Sequence, residues 1–393
     1  MRLVSNRLNI AFSMLLMSAL LATSEGFGQE REEILLSEVL EQIMDPSNVD
    51  KEERRGPRRR SKSRSSVKRK SFANLNIVND LRGKPVYEYL KENFSDQVEI
   101  MENGMVNISK IIDINNCRFD SDFSLDSLNF NVLHVNNSQA SGFTFSGCNF
   151  TQNLTLDGNI SSTTIELLEL EIKDLIIKNN QAAKIKLNKL NSIRDVGIAD
   201  NRVDIIEVSE SKFDLPAGRS FRNFKESDSE SFNLVMSDNQ FIGDSASNVE
   251  LKSNYTDLII ENNQFDIDFY LVRSSVKERF IVVDNDFNKQ ISFENFIFSE
   301  TKNELYWDQF EGFKLAYSRN GAIFEALTPK GFEDVVKFKN LIATYKEMHK
   351  IFLGRGDLES ANACYDEMKE LQRARYKYVY DTEGGFNNLF RYL

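Results

Sequence analysis

The residues of this 393-residue chain whose types could do chemistry are few: two histidines, three cysteines and one short cluster of acids and bases. A histidine works as a general base only beside a group that orients it. His134 and His349 lie far apart and neither sits in a recognisable motif, so both read as scaffold residues. Cys117, Cys148 and Cys364 have no histidine or cysteine neighbours at zinc spacing. Asp266, Asp268, Arg273 and Lys277 are close in sequence and would suit an acidic polymer if gathered on one outer face. Acids and bases are also what any solvated strand exterior carries. The segment RGKPV at 82–86 lacks the leading glycine of a phosphate-binding loop, and no Gly-x-Gly-x-x-Gly is present. Arg355-Gly356-Asp357 reads as a turn and helix cap. No cofactor or metal is expected, nor a catalytic residue.

Charge is the most distinctive feature. Residues 51–70 carry eleven Lys/Arg against two Glu, so the rest of a chain of net charge −11 sums to −20. Within this block Arg54, Arg55, Arg58, Arg59, Arg60, Lys68, Arg69 and Lys70 are candidates for contact with an anionic surface. Each basic residue near an acidic lipid surface contributes about 1 kcal/mol. An acidic glycan would suit the block as well, as would a purely solvated tether. Nucleic acid is disfavoured, because no aromatic residues interleave the charges. Segment 46–70 has almost no apolar content to offset its ordering entropy and is expected to be a disordered linker.

Residues 1–24 have the layout of a secretory signal: Arg2 and Arg7, then the apolar run 10–22, then small residues at 22–24. Export to a periplasm or cell envelope is the expectation, with an uncleaved anchor as the alternative. In an exported protein three cysteines make no disulfide framework. Cys117 and Cys148 are expected as buried thiols, and a bond between them stays open. Within 25–45, Leu36, Val39, Leu40 and Ile43 share one face of a short amphipathic helix. Segment 71–106 is placed as an N-terminal cap.

The elements that would position any site come from a repeat. LIIENNQF (258–265) has a near twin in LVMSDNQF (234–241) and relatives at 175–182 and 196–203. Aligned on the asparagine, Cys117, Ser138, Asn159, Asn180 and Asn201 recur every 21 residues, with apolar residues three and five positions earlier. Asn239, Asn263 and Asn285 continue the series at looser spacing, and 214–231 reads as a polar loop extruded from a coil. Between these columns GFTFSGCNF (142–150), AKIKLNKL (183–190) and IIEVSESKF (205–213) alternate apolar and polar residues, which is strand periodicity. Phe145, Phe150, Ile160, Ile165, Leu170 and Leu175 add a five-residue register of inward positions. The expected fold is mainly β: a solenoid of about 21 residues per coil over 107–296, with helical caps. Stacked asparagines at a corner suit the left-handed turn there and can hydrogen-bond along the column, so the column is expected to be structural.

On these features the segment 107–296 resembles a degenerate pentapeptide-repeat or right-handed parallel β-helix domain of the bacterial envelope. In 297–393 the periodicity turns helical, and YKEMHKIFLGRGDLESANACYDEMK (345–369) resembles one tetratricopeptide-type hairpin, with Asp357 as a cap and Ala361 and Tyr365 on the inner face. One such repeat must pack on the solenoid end or on a partner. The resemblance implies a non-catalytic exported scaffold whose partner is an envelope protein or an anionic membrane surface. The alternatives are a carbohydrate-active β-helix that binds or cleaves acidic polysaccharide, and the ectodomain of a longer, channel-like membrane protein.

Overall fold

A computed structural model describes residues 31–45, 69–81, 83–225, 231–244, 246–316 and 329–383. It is a parallel β-solenoid of about 9 turns with coils of ~22 residues. Each coil contributes to three faces. One is a nine-stranded sheet that runs from Phe123–Asp126 to Lys302–Leu305. A second runs from Arg69–Ala73 to Leu315–Ala316. The third starts at Glu32–Leu35 and continues as bridges through Gln181 and Arg202. Apart from the short antiparallel pairing of Glu99–Ile100 with Val106 and Asn107, pairing is parallel, so that Ile112, Leu133, Leu154, Leu175 and Val196 stack as one inward column.

Local chemistry explains the corners. The residue at each bend has a left-handed backbone: Asn116, Asn137, Gly158, Asn179 and Asp200 along one edge, and Glu210, Asp238, Asn262 and Asp284 among those along the other. Asn, Asp and Gly adopt this conformation at least cost. Between the bends strict alternation sends every second side chain into the core. Four phenylalanines share one inward column, where Phe213, Phe241, Phe265 and Phe287 stack with centroids 4.9, 4.9 and 4.8 Å apart. Each such offset pair adds roughly 0.5–1.5 kcal/mol beyond its burial. Ile160 departs from the five-residue register: it is 46% exposed, and its bend neighbours Asn159 and Ser161 point inward instead.

The coils change form half-way along. In the first half the second sheet is kinked by bulges, as between Ile108 and Ile111 or Phe150 and Asn153. From Lys212 onward each kink opens into a turn between two separate strands, such as Lys212–Leu215 and Ser220–Phe224. The segment 214–231 is therefore not an extruded loop. Its Phe221 is fully buried and pairs in register with Val196 and Val249, because the alternation in SFRNF sends Phe221 and Asn223 inward. Residues 226–230 lie outside the described residues.

Both ends are closed. Helix α1 (Leu36–Met44) buries the four residues expected on its apolar face and lies over the open N-terminal coil. Beneath it is a small, wholly apolar cavity lined by Leu36, Leu40, Ile77, Ile112, Phe119 and Leu133 among others. Helix α2 (Val86–Asn93) buries Val86 and Leu90 and packs on the edge strand Phe123–Asp126. The sheets reach beyond 107–296 in both directions. Arg69–Ala73 and Leu75–Val78 already pair with the first full coil, and strands at 302–305 and 315–316 complete the last. Strand pairing therefore begins within the segments placed as caps, 71–106 and 297–393, and takes in Arg69 and Lys70 from the segment placed as linker. Sheet pairing of the backbone overrides the polar composition there.

At the C-terminal end α3 (Pro329–Glu333), α4 (Val335–Arg355) and α5 (Leu358–Glu383) form a helical unit around the α4–α5 hairpin. Gly356, at φ 75°, terminates α4 in the left-handed conformation, and Asp357 caps α5 by accepting from the Ser360 N–H. The hairpin docks on the solenoid. Trp307 packs against Tyr345 and Phe352, its N–H donates to Ser360 Oγ, and Arg355 donates to the Leu305 carbonyl at 2.6 Å. Ala361, Cys364, Met368 and Leu371 form the inner face of α5. Tyr365 does not belong to it: at 40% exposure it lies one helical step round, against His349 and under the Lys369 ammonium.

Candidate functional site

Asparagines stack inside the corners, but along two edges rather than one. On the first edge each backbone N–H donates to the side chain one coil on: Cys117 to Ser138, Ser138 to Asn159, Asn159 to Asn180 and Asn180 to Asn201. On the second edge the same pattern links Leu190, Ser211, Asn239, Asn263, Asn285 and Gln309. The series from Asn201 to Asn239 thus crosses from one edge to the other. Asn239 belongs one coil above Ser211, 28 residues earlier. The long spacing concealed this, since every corner of either edge has the same apolar-x-apolar approach.

Within the ladders Asn180, Asn263 and Asn285 are saturated. Asn180 accepts from the N–H and the side-chain amide of Asn159, and donates to the Leu156 carbonyl and to Asn201 Oδ1, all at 2.9–3.0 Å. Asn180 is 1% exposed and Asn239 likewise. Such side chains have no lone pair or proton left for a ligand.

The basic candidates divide. Arg54, Arg55, Arg58, Arg59, Arg60 and Lys68 lie outside the described residues. Arg69 and Lys70 begin a strand. Lys70 is 5% exposed at the end of the inward column headed by Ile112. Arg69 is engaged with Asp113.

That contact opens a grouping with the chemistry of a site, and it was not singled out from the sequence. Ser71, Asp113, His134 and Thr155 share one outward column on successive coils of the second sheet. The Asp113 side chain, 2% exposed, takes both Arg69 nitrogens and lies 2.9 Å from His134 Nδ1. Burial alone would raise the Asp113 carboxyl, but hydrogen bonds from His134 and Arg69 outweigh it and hold it below the usual carboxylate range. His134 Nε2 then faces Asn153 Nδ2 at 3.4 Å. An aspartate that orients an imidazole is half of a base relay. Here both Asp113 oxygens are spent on binding a neighbouring strand, and the pair acts first as a clasp on Arg69–Ala73. The 21-residue step from Asp113 to His134 was the available signal.

The acid–base run does not converge. Asp266 bonds with Gln264 and Asn288, and Asp268 with Tyr270 and the Gln290 N–H, on either side of a turn in the second sheet. Arg273 occupies the next left-handed corner and Lys277 the strand beyond it, so the four share no face.

All three cysteines are buried free thiols, and Cys117 and Cys148 are not bonded to each other. They sit at corners of different edges. Burial pushes the Cys148 and Cys364 thiols up to about 12 and raises Cys117 as well. Among the described residues no group of three or more His, Cys, Asp or Glu could hold a metal, and no helix is long and apolar enough to cross a membrane. The segment 1–24 lies outside the described residues. No protein-family model, curated protein or solved structure matches the chain.

Proposed function

We propose that the chain is a non-catalytic scaffold of the cell envelope, of degenerate pentapeptide-repeat or β-helix type with a tetratricopeptide-like hairpin, which holds a protein partner or an anionic surface along a stiff rod. The observation that carries this reading is the pair of saturated side-chain ladders within a solenoid closed at both ends. The buried polar groups most ordered by the fold are spent on rigidity, and the ends are spent on caps. What remains to meet other molecules is the outer faces, where ion pairs bridge neighbouring coils, as Lys184 with Glu207 and Arg279 with Asp257. The apolar run near the N-terminus and the basic block after it suit delivery to, and retention at, an envelope.

Fractionation of cells that make the chain, followed by high-salt and carbonate washes of the membranes, tests this. Release by salt is the expected result and assigns retention to the 51–68 block. Resistance to both washes would replace the electrostatic tether with an integral anchor. A wholly soluble protein would refute envelope attachment and turn attention to binding of acidic glycans.

A further inference from the structure

The chain on either side of the basic block is fastened at one place. Before it, the Lys110 ammonium donates to the carbonyls of Ile43 and Asp45, at the end of α1. After it, Arg69 pairs with Asp113. Lys110 and Asp113 belong to one strand, Val106–Asn115, and stand about 10 Å apart at ~3.3 Å per residue. About three residues would bridge that gap. Between Asp45 and Arg69 there are 23, with nine Lys/Arg against three acids. The charge is therefore held at both ends on the first full coil. The strand Glu32–Leu35, through which residues 1–30 join the fold, lies at the same end of the solenoid. Both segments on which the envelope reading relies, the apolar run and the basic block, thus enter at the N-terminal end.

The other end of the rod has the opposite sign. Residues 69–225 carry 18 Lys/Arg against 21 Asp/Glu, a net −3, whereas residues 231–316 carry 7 against 15, a net −8. These acids surround the rod. Glu261 and Glu304 lie on the nine-stranded sheet, Asp238 and Asp284 at the second edge, and Glu250 and Glu294 on the second sheet, all at least partly exposed. Whichever side of these coils lay against an anionic surface would bring carboxylates within the screening length, about 8 Å at physiological ionic strength. With only the first coil at the surface the same carboxylates stand beyond it, since about nine coils make a rod ~43 Å long.

We infer that the protein meets an acidic lipid bilayer by its N-terminal end alone, with the rod upright and the α4–α5 hairpin farthest from the lipid. This rests on the envelope reading and adds an orientation to it. The hairpin closes the last coil through Trp307 and Arg355, so it is the part that a partner approaching the membrane meets first.

The native thiols are buried, so one added cysteine takes a dye alone. Ser95→Cys, exposed beyond α2 at the near end, and Ala363→Cys, exposed on α5 at the far end, are made separately in the full chain. The vesicles are phosphatidylcholine with phosphatidylglycerol and carry an acceptor dye on a fraction of the headgroups. Sedimentation of the unlabelled chain with these vesicles scores binding first. Energy transfer from the bound protein is expected to be several-fold higher from the Ser95 position than from the Ala363 position. Equal transfer would mean that the rod lies flat, and higher transfer from Ala363 that it is inverted. Either result overturns the orientation and leaves the envelope reading standing. A chain that does not sediment with the acidic vesicles would refute the anionic surface itself, and the orientation with it.

Discussion

Asn180→Ala removes one rung of the first ladder, and its cost can be worked from the contacts. The Asn159 N–H loses its acceptor, Asn180 Oδ1 at 2.9 Å, and lies at a position 1% exposed where water does not replace it. A buried orphan donor costs about 1–3 kcal/mol. The two amide–amide links, to Asn159 and Asn201, add roughly 0.5–1.5 kcal/mol each. The expected loss is about 2–6 kcal/mol. The neighbour Asn179 supplies the control. It too sits at the corner, with φ 55°, but is exposed, and its side chain donates to Asp157. Asn179→Ala gives up the left-handed preference, roughly 1 kcal/mol. Urea denaturation followed by circular dichroism measures both. Because a coil is coupled chiefly to its neighbours, amide exchange in the variant should accelerate first at Asn159 and in the coils either side. A loss under 1 kcal/mol for Asn180→Ala, or equal losses for the two variants, would refute the claim that the buried column carries the stitching.

Three further outcomes follow from buried groups. Burial raises the Glu367 carboxyl against hydrogen bonds from Tyr345, Gly312 and Phe313; with its folded value above the unfolded one, its contribution is complete below ordinary carboxylate pH and is lost as pH rises through the folded value. Protection at Trp307 and Phe313, taken relative to the intrinsic exchange rate at each pH, should therefore rise as pH falls toward the ordinary carboxylate range, and Glu367→Gln should flatten that rise. Asp113 has the opposite sign: its folded value is depressed, so its contribution holds above the ordinary carboxylate range and is lost as pH falls through the folded value. Asp113→Ala should cost about 1–3 kcal/mol and fray strand 69–73, seen as faster exchange there; unchanged protection would remove the clasp. Native protein should not react with a thiol reagent at pH 8, and should release three thiols when denatured; a fast-reacting thiol would contradict burial of Cys117, Cys148 and Cys364.

The solenoid was legible because its repeat is written in residue types that only a corner needs. Asn159, Asn180 and Asn201 recur with their apolar approaches intact, and α1 shows its face through Leu36, Val39, Leu40 and Ile43. The Gly356–Asp357 stop was legible for the same reason, since helix ends constrain single residues. The assignment of asparagines to edges was not. Ser211 opens the second ladder and Leu190 precedes it, and neither type marks a corner by itself. Insertion of a turn within the coil then mimicked a loop, although Phe221 keeps its place in the core. Contacts such as Asp113 with His134 need the coil-to-coil register before they can be seen. Tyr365 was misplaced because the inner face of α5 is set by Trp307 and α4, which the helix's own periodicity does not contain.

Among the described residues the asparagine rungs lie on the first edge as far as Asn201 and on the second from Asn239 onward, with Leu190 and Ser211 already on the second edge in between. Side-chain stitching on one edge of a rod resists bending away from that edge more than toward it. The two halves of this solenoid are therefore stiffest in opposite directions, and the coil between Leu190 and Asn239 is where that preference changes sides.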